Sequence, residues 1–216
     1  MFELFDPKQE YSVRDGRLPH WYQPGVTYFV TFRTADSVPQ PLVRAWHRRR
    51  DDWLRGHGID PLSRDWKVQL RASPDLEDEY EAKFTRAFMD YLDRGYGECP
   101  LGQRSAAELV AAALRHFDGE RYHLGEFVIM PNHVHLLVCL LGETVIEAQC
   151  TSWKHFSAGQ INRLLGRRGR FWQEESFDHL VRSPEQFEYL ERYIAKNPES
   201  ARLNAGEYLY WTRRTS

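Results

Sequence analysis

The segment RYHLGEFVIMPNHVHLLVCL, residues 121–140, constrains the fold of this chain more than any other. Two apolar, extended runs flank Pro131-Asn132, a pair suited to a tight turn, so the segment reads as an antiparallel hairpin. Such a hairpin needs further strands beside it and helices over it. Side chains alternate along a strand, so His133 and His135 project to one side and Val134 and Leu136 to the other. The two imidazoles can therefore meet one metal ion. A bare His-x-His is equally compatible with strand histidines that only hydrogen-bond to their neighbours.

The remaining elements follow from periodicity and punctuation. GVTYFVTFRT, residues 25–34, is β-branched and aromatic behind Pro24 and predicts a buried strand. PQPLVRAWHRRRDDWLRGHG has helical spacing between a proline start and a glycine end. DLEDEYEAKFTRAFMDYLDRG predicts one amphipathic helix with Tyr80, Phe84, Phe88 and Leu92 on a common face. SAAELVAAALRHFDGE predicts a helix with Ser105 as N-cap and Glu108 completing a capping box. A long helix should follow the hairpin. FWQEESFDHLVR should then be extended, and SPEQFEYLERYIAKNP helical, capped by Ser183 and stopped by Pro198. This order predicts an α+β fold of ferredoxin-like type, an antiparallel sheet covered by helices. Residues 1–216 are expected to form one domain, with 36–103 as a helical elaboration.

Composition narrows the class. A 42% hydrophobic content over 216 residues can fill one sizeable core. The longest apolar run is too short to span a bilayer and the N-terminus lacks a secretory pattern, so a cytoplasmic location is expected. Cys99, Cys139 and Cys150 contain no C-x-x-C pair and suggest neither a disulfide framework nor a zinc ribbon. The net charge of −2 conceals an uneven distribution. Ala148 to Gln173 contains no acid, whereas PDLEDEYEAK holds five in ten residues. Lys154, Arg163, Arg167, Arg168 and Arg170, interleaved with Trp153, Phe156, Phe171 and Trp172, form a mixture able to pair with phosphates and stack on unpaired bases. The same segment is equally consistent with core aromatics beside solvated arginines. Arg33, at the end of the first strand, is a further candidate contact.

Tyr193 and Asn197 are four residues apart, which places phenol and amide side by side on a helix. Taken singly, each also reads as an ordinary helix residue. Together with MPNHVH, the later YIAKNPESARL resembles the single-tyrosine HUH transposases, and within them the REP-associated tyrosine transposases. YFVTFRT, ALRHFDGERYHLGEFVIMPNHVHLLV, WKHFSAGQINRLLGRRGRFWQEESFDHLVR and YIAKNP occur in that family's order, whereas 36–103 is longer than in its compact members.

The resemblance implies a DNA-binding, single-stranded DNA endonuclease and strand transferase acting through a 5′-phosphotyrosine, at hairpin-forming repetitive palindromes. It assigns His133 and His135 to Mg²⁺ or Mn²⁺, Asn197 as third ligand, Tyr193 as nucleophile, and His179 and Arg182 to supporting or DNA-contacting positions. The partner is single-stranded or hairpin DNA, the enzyme a monomer or homodimer. The chemistry is coherent, because an anionic phosphodiester repels a phenolate unless a divalent cation neutralises its oxygens. Two other readings stay open: a non-catalytic nucleic-acid-binding protein on the same fold, and a metal-dependent hydrolase that uses water in place of tyrosine.

Overall fold

The computed structural model describes residues 2–14, 20–63 and 65–213. Its centre is a five-stranded antiparallel sheet. Short strands β1 (Ser12–Arg14) and β2 (His20–Tyr22) pair with each other as a separate ribbon. The main sheet comprises β3 (Thr27–Arg33), β4 (Tyr122–Ile129), β5 (His133–Leu140), β6 (Phe177–Leu180) and β7 (Leu209–Trp211), in the order β6-β3-β5-β4-β7. Without the edge strand β7, that order is the split βαβ arrangement of a ferredoxin-like fold, as the sequence predicts. The hairpin forms as expected, closed by the Met130 amide donating to the His133 carbonyl at 2.8 Å.

Every residue of β5 is buried, because both faces of the sheet are covered. One face carries α5 (Arg104–Arg115) and α6 (Ile146–Leu164). Val30, Phe32, Leu136, Val138, Leu114 and Trp153 belong to the apolar cluster between them. Leu124 and Phe127 of β4 both reach this cluster, although their odd spacing should split them between faces. The register of β4 against β5 shifts between them, and Gly125 sits in the bulge, where a Cβ would lie 3.0 Å from the Leu137 side chain and carbonyl. The other face carries α7 (Pro184–Ser200), packed on the sheet through Leu190 and Ile194 against Phe29 of β3, Val128 of β4 and Leu137 of β5.

Residues 36–103 form helices that reach this second face. α1 (Gln40–Gly56) and α2 (Trp66–Arg71) enclose a small core of Leu54, Ile59, Trp66 and Leu70. The helix expected as a single amphipathic element is instead α3 (Pro74–Tyr80), a π-helical turn Glu81–Arg86, and α4 (Ala87–Asp93). A π turn accommodates an extra residue and so rotates the helix beyond it. Tyr80 therefore packs with Trp66 of the insertion core, while Met89 and Leu92 pack with Val38, Phe177 and Tyr193 beside the sheet. The stripe read from the sequence is split between two clusters.

Two helix ends also differ. Ser105 lies inside α5 and Gln103 precedes its first turn; Glu108 pairs with the Arg104 guanidinium at 2.5 Å, so no capping box forms. The preceding 3-10 turn Pro100–Gly102 sets the chain direction before Ser105 is reached. At α7 the Ser183 hydroxyl accepts from the Gln186 amide at 3.1 Å, as expected, but the helix continues past Pro198 to Ser200. Proline removes one amide hydrogen bond without blocking a last half-turn. The three cysteines are free thiols, and among the described residues no helix is long and apolar enough to cross a membrane.

Candidate metal and nucleophile site

The odd-numbered residues of β3 and β5 face α7, and there the sheet carries polar groups. His133 and His135 are fully buried, and Thr31 and Asn197 nearly so. Each imidazole is held from behind. The Asn132 amide nitrogen donates to the Tyr96 carbonyl at 2.9 Å and more weakly to that of Leu92, so its Oδ1 is turned to His133 Nδ1 at 2.7 Å. That contact requires the proton on Nδ1 and leaves a lone pair on Nε2. His135 Nδ1 lies 2.7 Å from the Thr31 hydroxyl, and its ring stacks on Phe29 with centroids 5.5 Å apart. Such partners fix ring orientation and tautomer at metal sites.

The two Nε2 atoms converge on Asp93, the last residue of α4. His133 Nε2 lies 3.3 Å and His135 Nε2 4.0 Å from Asp93 Oδ1. Asp93 was not singled out by sequence, because it lies in an acid-rich stretch forty residues before the histidines. Asp93, His133 and His135 offer one ligand atom each, all within 4.8 Å of one another. Donors about 2.1 Å from a divalent ion stand about 3 Å apart when adjacent and about 4.2 Å apart when opposite, so these separations suit one ion. His133 Nε2 makes no hydrogen bond, which is costly for a buried lone pair facing a carboxylate. A cation between them removes that cost.

Asn197 reaches the cluster in a different sense from the one expected of a ligand. Its Nδ2 donates to both Asp93 oxygens at 3.1 Å, while its buried Oδ1 has no partner. Tyr193, one turn earlier, places its hydroxyl 3.4 Å from His135 Nε2. The four sequence candidates His133, His135, Tyr193 and Asn197 thus lie together, with Asp93 and Asn132 added.

Electrostatics separate the groups. Burial, then the neighbouring His133, lowers His135 to about 4, against the attraction of Asp93. Burial pushes the Asp93 carboxyl up, but hydrogen bonds and charge attraction from His133 and His135, in their protonated form, outweigh it and pull it below the ordinary carboxylate range. Burial, then the charges of Asp93 and Asp90, raises the Tyr193 phenol well above its ordinary value. The site therefore presents an anionic carboxylate, a neutral His135 and an un-ionised phenol, a set that binds and is activated by positive charge.

The remaining candidates are scattered. His179 of β6 is half-buried on the same face, its Nε2 2.8 Å from the Gln186 amide nitrogen, and loss of water around the ring, with Arg182, Arg71 and Lys67 nearby, lowers it to about 3. Arg182 pairs with Glu77 at 3.2 Å. The loop after α6 passes the end of β3, where the Ala35 amide donates to the Phe171 carbonyl and the Gln173 amide to that of Arg33. Arg33 itself pairs in register with His133, so this loop runs beside the site. Arg163, Arg168 and Arg170 are exposed, and Arg167 pairs with Glu98 at 3.0 Å. Lys154 donates to the Glu174 carbonyl at 2.6 Å, and burial lowers its ammonium. Arg33 lies over the Phe88 ring, and burial lowers it to about 10.

Trp172 requires a correction. It is only 4% exposed, its ring packs edge-on to Phe32 and its indole donates to the Ser157 hydroxyl at 2.9 Å. Its size and apolar body were better used in the core, and it offers no face for a base. Trp153 and Phe171 are buried in the same cluster, and only Phe156 of the four aromatics is exposed.

Sheet order and site together define an α+β, ferredoxin-like protein with a strand-borne histidine pair, a carboxylate from an inserted helix and a tyrosine on the opposing helix. No protein-family model matches the chain, and no curated protein matches it. Among solved structures, it is similar to a REP-associated tyrosine transposase bound to a REP hairpin, at 14% identity and a TM-score of 0.44 over 83% of this chain and 70% of that one. It is also similar to a transposase-like protein from Deinococcus radiodurans R1, at 14% identity and a TM-score of 0.34 over 82% and 93% of the two chains.

Proposed function

We propose that this protein is a metal-dependent enzyme that cuts and rejoins single-stranded DNA through Tyr193. The observation that carries the reading is the meeting of His133, His135 and Asp93 around one point with the Tyr193 hydroxyl 3.4 Å from His135 Nε2. His133, His135 and Asp93 would hold Mg²⁺ or Mn²⁺, and rotation of the Asn197 amide would offer its free Oδ1 as a further ligand. The ion supplies positive charge for the phosphate oxygens and for the nucleophile. Residues 1–216 act as one unit in this reading, because the insertion contributes a ligand.

Tyr193 acts as the nucleophile. Its oxygen forms a bond to phosphorus as the bond to the DNA 3′ oxygen breaks, and the phenolic proton is made up on the released 3′ hydroxyl. The product is a 5′-phosphotyrosine. A second 3′ hydroxyl attacks the same phosphorus, returns a proton to Tyr193 and restores a phosphodiester with no external energy source. Phenol is a better leaving group than an alcohol, so this return is feasible. Asn132 and Thr31 keep the imidazoles aimed at the shared point. Arg163, Arg167, Arg168 and Arg170 would follow the strand's phosphates along the loop beside β3. His179 and Arg182 would shape the neighbouring wall.

The test uses hairpin oligonucleotides with randomised flanks, incubated with the protein and Mn²⁺ and resolved under denaturing conditions. A covalent protein–DNA adduct is expected from the wild type and none from Tyr193→Phe. Nicking that persists in Tyr193→Phe but disappears in His133→Ala would establish the water-using hydrolase instead. Binding without any nicking would establish a non-catalytic DNA-binding protein.

A further inference from the structure

Beside the nucleophile lies a cavity of about 530 Å³ between α7 and the segment α3 to α4 of the insertion. Tyr193 forms part of its wall. Its volume falls within the range of sites that enclose a small organic group, and no step of the proposed chemistry uses it. We infer that this cavity receives one unpaired nucleobase of the strand that Tyr193 attacks, stacked on Tyr189 and favoured when its edge carries an amino group. The inference rests on the reading of Tyr193 as a DNA nucleophile.

Three observations support a base as occupant. Tyr189 lines the cavity one turn before Tyr193 yet is 52% exposed, unusual for a large ring and suited to stacking on a flat partner. The cavity wall carries four carboxylates, Glu77, Asp78, Glu81 and Asp90, against the guanidinium groups of Arg86 and Arg182, the second of which pairs with Glu77 at 3.2 Å. The acids outnumber the cations, so the wall disfavours the phosphate backbone and suits a neutral part of the strand. The same carboxylates accept hydrogen bonds and cannot donate them when ionised, so they favour an edge that carries an amino group over one that presents a carbonyl. Phe29 and Leu190 complete an apolar side against which a ring can lie. Gln186 is already committed, donating to His179 and accepting from the Arg182 amide, and the Arg182 guanidinium pairs with Glu77, so acceptors at Asp78, Glu81 and Asp90 outnumber the remaining donor Arg86.

The test compares three labelled 15-mers by fluorescence anisotropy at pH 7.5: dC15, dT15 and a 15-mer of abasic residues with the same backbone charge. Wild type should bind dC15 more tightly than dT15, because cytosine carries an amino group where thymine carries a carbonyl. Tyr189→Ala should weaken dC15 binding about tenfold, the worth of one base–aromatic stack, and leave the abasic strand unaffected. Tyr189→Phe should keep the wild-type affinity, and Asp90→Asn should narrow the gap between dC15 and dT15. Equal loss on dC15 and the abasic strand, or no loss on either, overturns the base pocket. The covalent adduct assay is scored separately. An adduct with no base-dependent effect of Tyr189→Ala leaves the nucleophile standing and removes the pocket, whereas the binding pattern without an adduct retains the pocket as a binding site and removes the nucleophile.

Discussion

The two faces of the central sheet are built from the same strands and do opposite things. Toward α5 and α6, the even-numbered residues of β3 and β5 meet a large apolar cluster, within which the Trp153 indole donates to the Tyr122 hydroxyl at 2.9 Å. Toward α7, the odd-numbered residues leave His133 Nε2 and Asn197 Oδ1 buried without hydrogen bonds. Strand alternation lets β5 serve both faces within eight residues. The first face provides cohesion, and the second gives some of it up to bury polar groups without partners. The contrast teaches that exposure alone would not locate the chemistry, since β5 is buried throughout.

That division can be broken by substitution. Leu136→Ala on the α5/α6 face should cost about 2–5 kcal/mol in urea unfolding and leave the metal response intact. His135→Ala, its neighbour on the opposite face, should cost far less and abolish that response. Comparable stability losses from the two variants would erase the distinction. The next largest effect is from metal. Mn²⁺ at a hundredfold excess over its Kd should stabilise the wild type by about 2.7 kcal/mol, read as a rise in Tm, and Asp93→Asn should lose most of that shift. An undiminished shift in Asp93→Asn would exclude the carboxylate as a ligand.

Acid should loosen the α7 face selectively. His135 is held at about 4 and His179 at about 3, both below the ordinary 6.5, and both lie on the α7 side of the sheet. Between pH 6.5 and these values the unfolded chain takes up protons that the folded chain refuses. Stability is therefore full above pH 6.5 and declines as pH falls, by about 1.4 kcal/mol per unit for each histidine. Urea titrations at pH 7, 6, 5 and 4.5 should show that slope, and His179→Gln should remove about half of it. A flat profile would mean that neither ring is held neutral. The smallest effect concerns the loop arginines. Arg168→Gln should lower the slope of log K against log salt for single-stranded DNA by about 0.7, whereas Trp172→Phe, in the apolar cluster, should leave it unchanged.

Legibility in sequence followed the range of the interactions. The hairpin, the shared side of His133 and His135, and the adjacency of Tyr193 and Asn197 depend on spacings of two to four residues, and a repeating backbone geometry converts these directly into positions. The strand order followed from the succession of elements. Asp93 was not legible, because it stands forty positions before His133 and its place depends on a π turn that no local pattern in EAKFTR announces. Asn132 was in plain view within MPNHVH, and its signal was a polar side chain next to a histidine at a buried turn. Trp172 misled because an aromatic among arginines suits a core and a nucleic-acid surface equally, and only packing against Phe32 decides between them.

The π turn Glu81–Arg86 carries a consequence for how this molecule could change over generations. One residue fewer would let the segment relax into a regular α-helix and turn everything after it by about 100°. α4 would keep its length and much of its apolar surface, but Asp93 would swing away from the histidines. A single in-frame codon loss could thus silence the centre while sparing the scaffold, and its reversal could restore it. The inserted helices act less as an ornament on an older core than as a removable key.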